Sequence, residues 1–163
     1  MIDDRLVITL ADALRARGWR MATAESCTGG LIAAACTSLA GSSDWFERGF
    51  VTYSNQAKID LLGVPESLLV GHGAVSEPVA RAMAAGALAR APVQAGVAVT
   101  GIAGPGGAVP GKPVGMVWLA IALATPAGPR VQAECLQLAG DRQAVRRQTV
   151  EIALQRLCAA VAA

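Results

Sequence analysis

The chain has 163 residues, 53% of them hydrophobic and 16% charged, with a formal net charge of +2, which suits one compact domain with a full-sized core. Its longest apolar run, 114–124, falls far short of the roughly 20 residues of a membrane helix. Scattered cations and only three Trp, two Phe and one Tyr leave nucleic acid without a basic patch or a stacking platform, so neither membrane nor nucleic acid is an expected partner. One histidine and four cysteines without metal-ligand spacing argue against a metal site. No signal-like segment follows the first residues, which makes the cytoplasm, with reduced thiols, the expected compartment.

Leu6, Val7, Leu10, Ala13 and Leu14 recur at helical spacing and predict a first helix that stops at Gly18. An extended run over 19–25 leads into Ala24-Glu25-Ser26-Cys27-Thr28-Gly29-Gly30, and a helix over 31–39 follows, ending at Gly41. A second strand ends near Tyr53. Ser54 caps a short helix over 55–62 closed by Gly63, Pro65 opens another to Val70, and Ser76-Glu77-Pro78 starts one that runs to about Arg90. Small residues Ala82, Ala85, Gly86 and Ala89 share one surface of that helix and allow close packing against a sheet or a second subunit. With an exposed-looking Trp45-Phe46 pair, they suggest a homodimer.

Val97-Ala98-Val99-Thr100 reads as a third strand. A loop over 101–111, dominated by glycine and proline, comes next, then two longer strands joined as a hairpin at 125–129, then a last helix from Gly140-Asp141-Arg142 onward. The predicted fold class is α/β: a three-layer α/β/α domain over 1–163, with a mixed, mainly parallel sheet of about five strands including the C-terminal β-hairpin.

In open α/β sheets ligands sit beyond the carboxyl ends of the parallel strands. Strand ends at Glu25, Tyr53 and Thr100 therefore bring Ser26, Tyr53 and the glycine-rich loop to one edge, and connection counting adds Lys112 and Arg142. The N–H groups of Thr28, Gly29 and Gly30 would leave a helix N-terminus ready for an anion or an oxyanion. The plainer reading of that segment is an ordinary helix cap with Thr28 or Ser26 as N-cap. Without a candidate histidine, Ser26 needs another base, and Lys58 lies in a first helical turn where the macrodipole disfavours an ammonium. Tyr53 could relay a proton between them. Cys27 is an alternative nucleophile, but successive residues leaving a strand point oppositely, so one of the two faces the crevice.

Six ordered motifs carry a resemblance: Glu-Ser-Cys-Thr-Gly-Gly at 25–30, Tyr-Ser-Asn-Gln-Ala-Lys at 53–58, Gly-Ala-Val-Ser at 73–76, Thr-Gly-Ile-Ala-Gly-Pro-Gly-Gly at 100–107, Lys-Pro-Val-Gly at 112–115 and Gly-Asp-Arg at 140–142. Together they resemble the CinA C-terminal domain family over nearly the whole chain. The resemblance implies a metal-independent amidohydrolase with no cofactor. Its substrate would be a small-molecule nucleotide, nicotinamide mononucleotide, hydrolysed at the carboxamide to nicotinate mononucleotide and ammonia. It implies Ser26 as nucleophile, Lys58 as base and Tyr53 assisting. Thr28, Gly29, Gly30, Asn55, Thr100, Gly101, Ala103, Gly104, Gly106, Gly107, Lys112 and Arg142 would bind substrate. Ala108, Gly111 and Leu138 stand where the pattern more often has glycine, an acid and an aromatic. These departures bear on the ligand loop rather than on the nucleophile or base. The rival reading is a nucleotide-binding module without catalysis, in which Lys58 stays protonated.

Overall fold

The protein is described from a computed structural model over residues 2–163. Helix α1 (Asp4–Arg17) begins under the Asp3 carboxylate, which accepts from the Arg5 N–H, and ends at Gly18 in the left-handed conformation. It is followed by β1 (Met21–Glu25), α2 (Leu31–Thr37), β2 (Phe46–Val51), α3 (Asn55–Leu62), α4 (Glu66–His72) and α5 (Glu77–Arg90). Strands β3 (Ala95–Gly101), β4 (Met116–Leu123) and β5 (Arg130–Gln137) then precede α6 (Arg142–Ala162). The Ser54 hydroxyl accepts from the Ala57 N–H at the start of α3, and Gly63 closes that helix.

The five strands lie in the order β2-β1-β3-β4-β5. β1 is parallel to both β2 and β3, whereas β3–β4 and β4–β5 are antiparallel, so β4 alone runs against the other four. Strand alternation separates two cores. Val97, Val99, Leu119 and Ile121 face α1, α2 and α6, where Leu10, Leu14, Ile32, Leu154 and Leu157 meet them. Ala22, Ala24, Ala98, Ala120 and Ala122 face α3, α4 and α5, against Ala80, Met83, Ala84 and Ala87. Alanine on both sides of that second interface lets α5 lie close to the sheet. No helix among the described residues is long and apolar enough to cross a membrane.

Of the features behind the homodimer expectation, Trp45 and Gly86 are used inside the fold, whereas Ala82 and Ala85 are half-buried and Ala89 is exposed. Trp45 is fully buried, its ring edge-on to Phe46, because it supplies bulk beneath α1 and α2 that the alanine-rich chain otherwise lacks. Gly86 faces the end of α3 so closely that a Cβ there would collide with the Leu62 carbonyl oxygen. The strand ending near Tyr53 stops at Val51, and Thr52 and Tyr53 form the connection into α3.

Candidate active site

The C-terminal ends of β1, β2 and β3 converge on a cleft of about 210 Å³, lined by Ser26 and Cys27, Tyr53, Lys58, Thr100, Gly101, Ala103 and Arg142, with Ala74 and Val75 as one wall. Ser26 follows β1 directly, its N–H bonded to the Val99 carbonyl of the neighbouring strand at 3.1 Å. Thr100, next to last in β3, gives its hydroxyl to the Ala74 carbonyl at 2.9 Å and so ties the 73–76 loop to the strand.

Lys58 is 1% exposed, an unusual state for a lysine. Its Nζ lies 2.9 Å from Ser26 Oγ, 2.8 Å from the Thr52 carbonyl and 3.3 Å from the Tyr53 carbonyl. All three partners are neutral. Burial without a counter-charge pushes the Lys58 pKa down to about 8, chiefly by desolvation of the ammonium. Cys27 is also buried, and desolvation pushes its thiol up to about 11, so it is protonated and a poor attacker near neutral pH.

Tyr53 is 61% exposed, and the hydrogen bond its phenol makes is to Arg142, not to Lys58. The phenol oxygen accepts from Arg142 Nη2 at 3.0 Å, and Arg142 Nη1 donates to the Gly104 carbonyl at 2.9 Å. One guanidinium thus joins the β2–α3 connection, the glycine-rich loop and α6. Arg142 occupies the first position of α6, where the helix dipole disfavours a cation. Beyond it opens a second cleft of about 600 Å³, lined by Pro105, Val114, Gly140, Asp141 and Gln143, which shares Ala103 and Arg142 with the first. A further cavity, about 680 Å³, lies between α1, α2 and α6 and holds none of these hydroxyls nor Lys58.

Several expected residues fall outside the cleft lining. Thr28 is fully buried, and its hydroxyl donates to Glu25 at 2.7 Å. The Gly29 N–H bonds back to the Ser26 carbonyl, the Leu31 N–H that opens α2 bonds to the Thr28 carbonyl, and the next two, from Ile32 and Ala33, go to the Glu25 carboxylate at 2.9 Å each. Neither Thr28 nor Ser26 is the N-cap; Gly30 is. Asn55, Gly106 and Gly107 are exposed and stand apart from the lining residues. Lys112 donates to the His72 carbonyl and is not among the lining residues.

Two contributors escaped the sequence reading. Glu25 is fully buried, and the signal for it was a carboxylate closing a strand otherwise composed of Met21, Ala22, Thr23 and Ala24. Arg146 donates to the Cys27 carbonyl at 3.1 Å and to the Thr28 carbonyl at 3.2 Å, bracing the serine loop from α6; no local signal distinguishes it from Arg147.

The profile of the CinA C-terminal domain matches residues 3–161. The chain is 55% identical over 148 residues to the nicotinamide-nucleotide amidohydrolase PncC of Escherichia coli K12, covering 91% of this chain and 88% of that protein. It is 53% identical over 152 residues to the protein of the same name from Pseudomonas putida, covering 93% and 92%. The crystal structure of the competence/damage inducible protein CihA from Agrobacterium tumefaciens superposes with a TM-score of 0.92 at 44% identity, covering 98% of this chain and 97% of that one. A buried serine–lysine pair at the strand edge, a profile match across 3–161 and neighbours alike in sequence and fold agree: this chain belongs to the CinA C-terminal domain family.

Proposed function

We propose that the protein hydrolyses the carboxamide of nicotinamide mononucleotide, releasing ammonia and nicotinate mononucleotide, with Ser26 as nucleophile and Lys58 as base. The observation that carries the reading is the 2.9 Å contact between Ser26 Oγ and a buried lysine whose pKa falls to about 8. The names of the PncC relatives support the substrate.

A neutral Lys58 amine has two hydrogens and one lone pair. The Thr52 and Tyr53 carbonyls take the hydrogens, which leaves the lone pair for the Ser26 proton. Ser26 Oγ attacks the carboxamide carbon, and the proton moves to Lys58. Lys58 then returns it to the amide nitrogen, so the C–N bond breaks and ammonia leaves an acyl-serine. Water, deprotonated by Lys58, attacks that ester; Ser26 recovers its proton and the product carboxylate departs.

In the 28–30 turn the Gly29 N–H is taken by the Ser26 carbonyl and none of the three residues lines the cleft, so we assign the oxyanion to N–H groups of the cleft lining. Cys27, next after the nucleophile, is the first candidate. The smaller cleft suits the pyridine carboxamide, while ribose and phosphate pass Arg142 into the larger one. Tyr53 acts by holding Arg142 and by lending its carbonyl to Lys58, not as a phenolic relay.

The test is ammonia release from nicotinamide mononucleotide by the purified protein. Turnover is expected in the wild type and in Cys27→Ala and is expected to vanish in Ser26→Ala. Binding without ammonia would make the protein a nucleotide-binding module, and loss of activity in Cys27→Ala alone would move the nucleophile to the thiol.

A further inference from the structure

Glu25 immediately precedes the proposed nucleophile and faces the opposite side of the sheet, as strand alternation requires. Its carboxylate is fully buried and takes four donors. One oxygen accepts from Thr28 Oγ1 at 2.7 Å and the Ile32 N–H at 2.9 Å; the other accepts from Thr23 Oγ1 at 3.2 Å and the Ala33 N–H at 2.9 Å. Buried charges persist where hydrogen bonds satisfy them this fully, and the positive end of α2 favours a carboxylate. Gly30, the N-cap of α2, has no side chain to offer, so Glu25 caps that helix from a distance.

The segment bridged in this way is the one that displays Ser26. Between them lie Gly29 and Gly30, both at positive φ (61° and 104°), a run with little stiffness of its own. The Glu25 main chain is fixed as well, its carbonyl accepting from the Thr52 N–H at 2.8 Å. We propose that Glu25 is a positioning residue: by locking the Ser26–Gly30 turn to α2 on one face of the sheet, it holds Ser26 Oγ against Lys58 Nζ on the other. The proposal rests on Ser26 being the nucleophile. It also means that the α2 N-terminus holds the chain's own carboxylate instead of a substrate phosphate.

The experiment measures kcat, KM, the pH midpoint and thermal stability for Glu25→Gln, Thr28→Val and Thr28→Ser, with Ser26→Ala as control. Glu25→Gln keeps the shape but turns an amide NH2 toward groups that are themselves donors. Its kcat is expected to fall about 30-fold, since small displacements of a reacting group cost up to about 100-fold, while KM stays within about threefold. The pH midpoint should stay at the wild-type value. A residue that serves stability alone would lower Tm and leave kcat well below the transition unchanged, and that result overturns the proposal. A shifted pH midpoint would overturn it too, because Glu25 would then act on the charge of Lys58 rather than on the place of Ser26. If Glu25→Gln does not fold, the Thr28 pair decides. Thr28→Val, which loses the donor to the carboxylate, should lower kcat about fivefold with KM retained, and Thr28→Ser should restore it. Equal, wild-type kcat in both refutes the coupling. An active Ser26→Ala would instead refute the nucleophile assignment itself.

Discussion

An ammonium buried against one hydroxyl and two carbonyls is stabilised far less than one in water, and this is why Lys58 titrates at about 8 instead of ~10.4. The sign follows directly. Below that value the folded protein carries Lys58 charged and unable to accept a proton; above it the free amine accumulates. We expect kcat/KM to rise about tenfold per pH unit at acid pH and to level off above about 8. Lys58→Arg keeps a cation that cannot deprotonate, so it should lose about as much as Lys58→Ala, on the order of 10³-fold in kcat. Substantial activity in the arginine variant would make Lys58 a charge holder rather than a base, and steady-state ammonia assays across pH decide between them.

Where α3 meets α5, two helices approach through a glycine. Alanine is the better helix former by about 1 kcal/mol, so on propensity alone Gly86→Ala would stabilise. A Cβ at this position meets the Leu62 backbone, which cannot swing aside as a long side chain can. Overpacking of that kind costs about 1–3 kcal/mol, and the clash should outweigh propensity. Net destabilisation of about 1–2 kcal/mol, read from denaturant midpoints at constant slope, is expected; an unchanged or higher midpoint would mean that α3 yields. Since Lys58 lies on α3, activity is a second reading of the same shift. The helix boundaries here were legible in the chain because caps are local: Gly18, Ser54, Gly63, Pro78 and Asp141 each act within a few residues of themselves. Ser26, Thr100, Lys58 and Arg142 were expected at one edge for a related reason, since strand ends and helix starts can be counted, and all four line the same cleft. What counting could not supply was the direction of each group. The α2 N-terminus looked free because its occupant, Glu25, sits on the preceding strand. The hydrogen bond of the Tyr53 phenol and the burial of Trp45 were not foreseen because their partners, Arg142 on α6 and the core beneath α1, are remote in sequence.

Across the whole molecule 14 basic and 12 acidic side chains nearly cancel, so no long-range field draws an anion in. The charge that matters is concentrated instead where the C-terminal ends of β1, β2 and β3 and the start of α6 meet: the lining of the smaller cleft includes Lys58 and Arg142 and no carboxylate. The proposed reaction converts a neutral carboxamide into an anion beside Lys58. Once made, that carboxylate finds an ammonium whenever Lys58 is protonated, so acidity should trap the finished molecule in the cleft while it idles the chemistry. Product inhibition by nicotinate mononucleotide should accordingly tighten as pH falls from 9 to 7, by up to about tenfold, whereas the substrate's phosphate changes little in charge over that range. An inhibition constant that is flat with pH would separate Lys58 from the product. If the constant does move, the lysine proposed to activate the serine also sets how tightly the product is held.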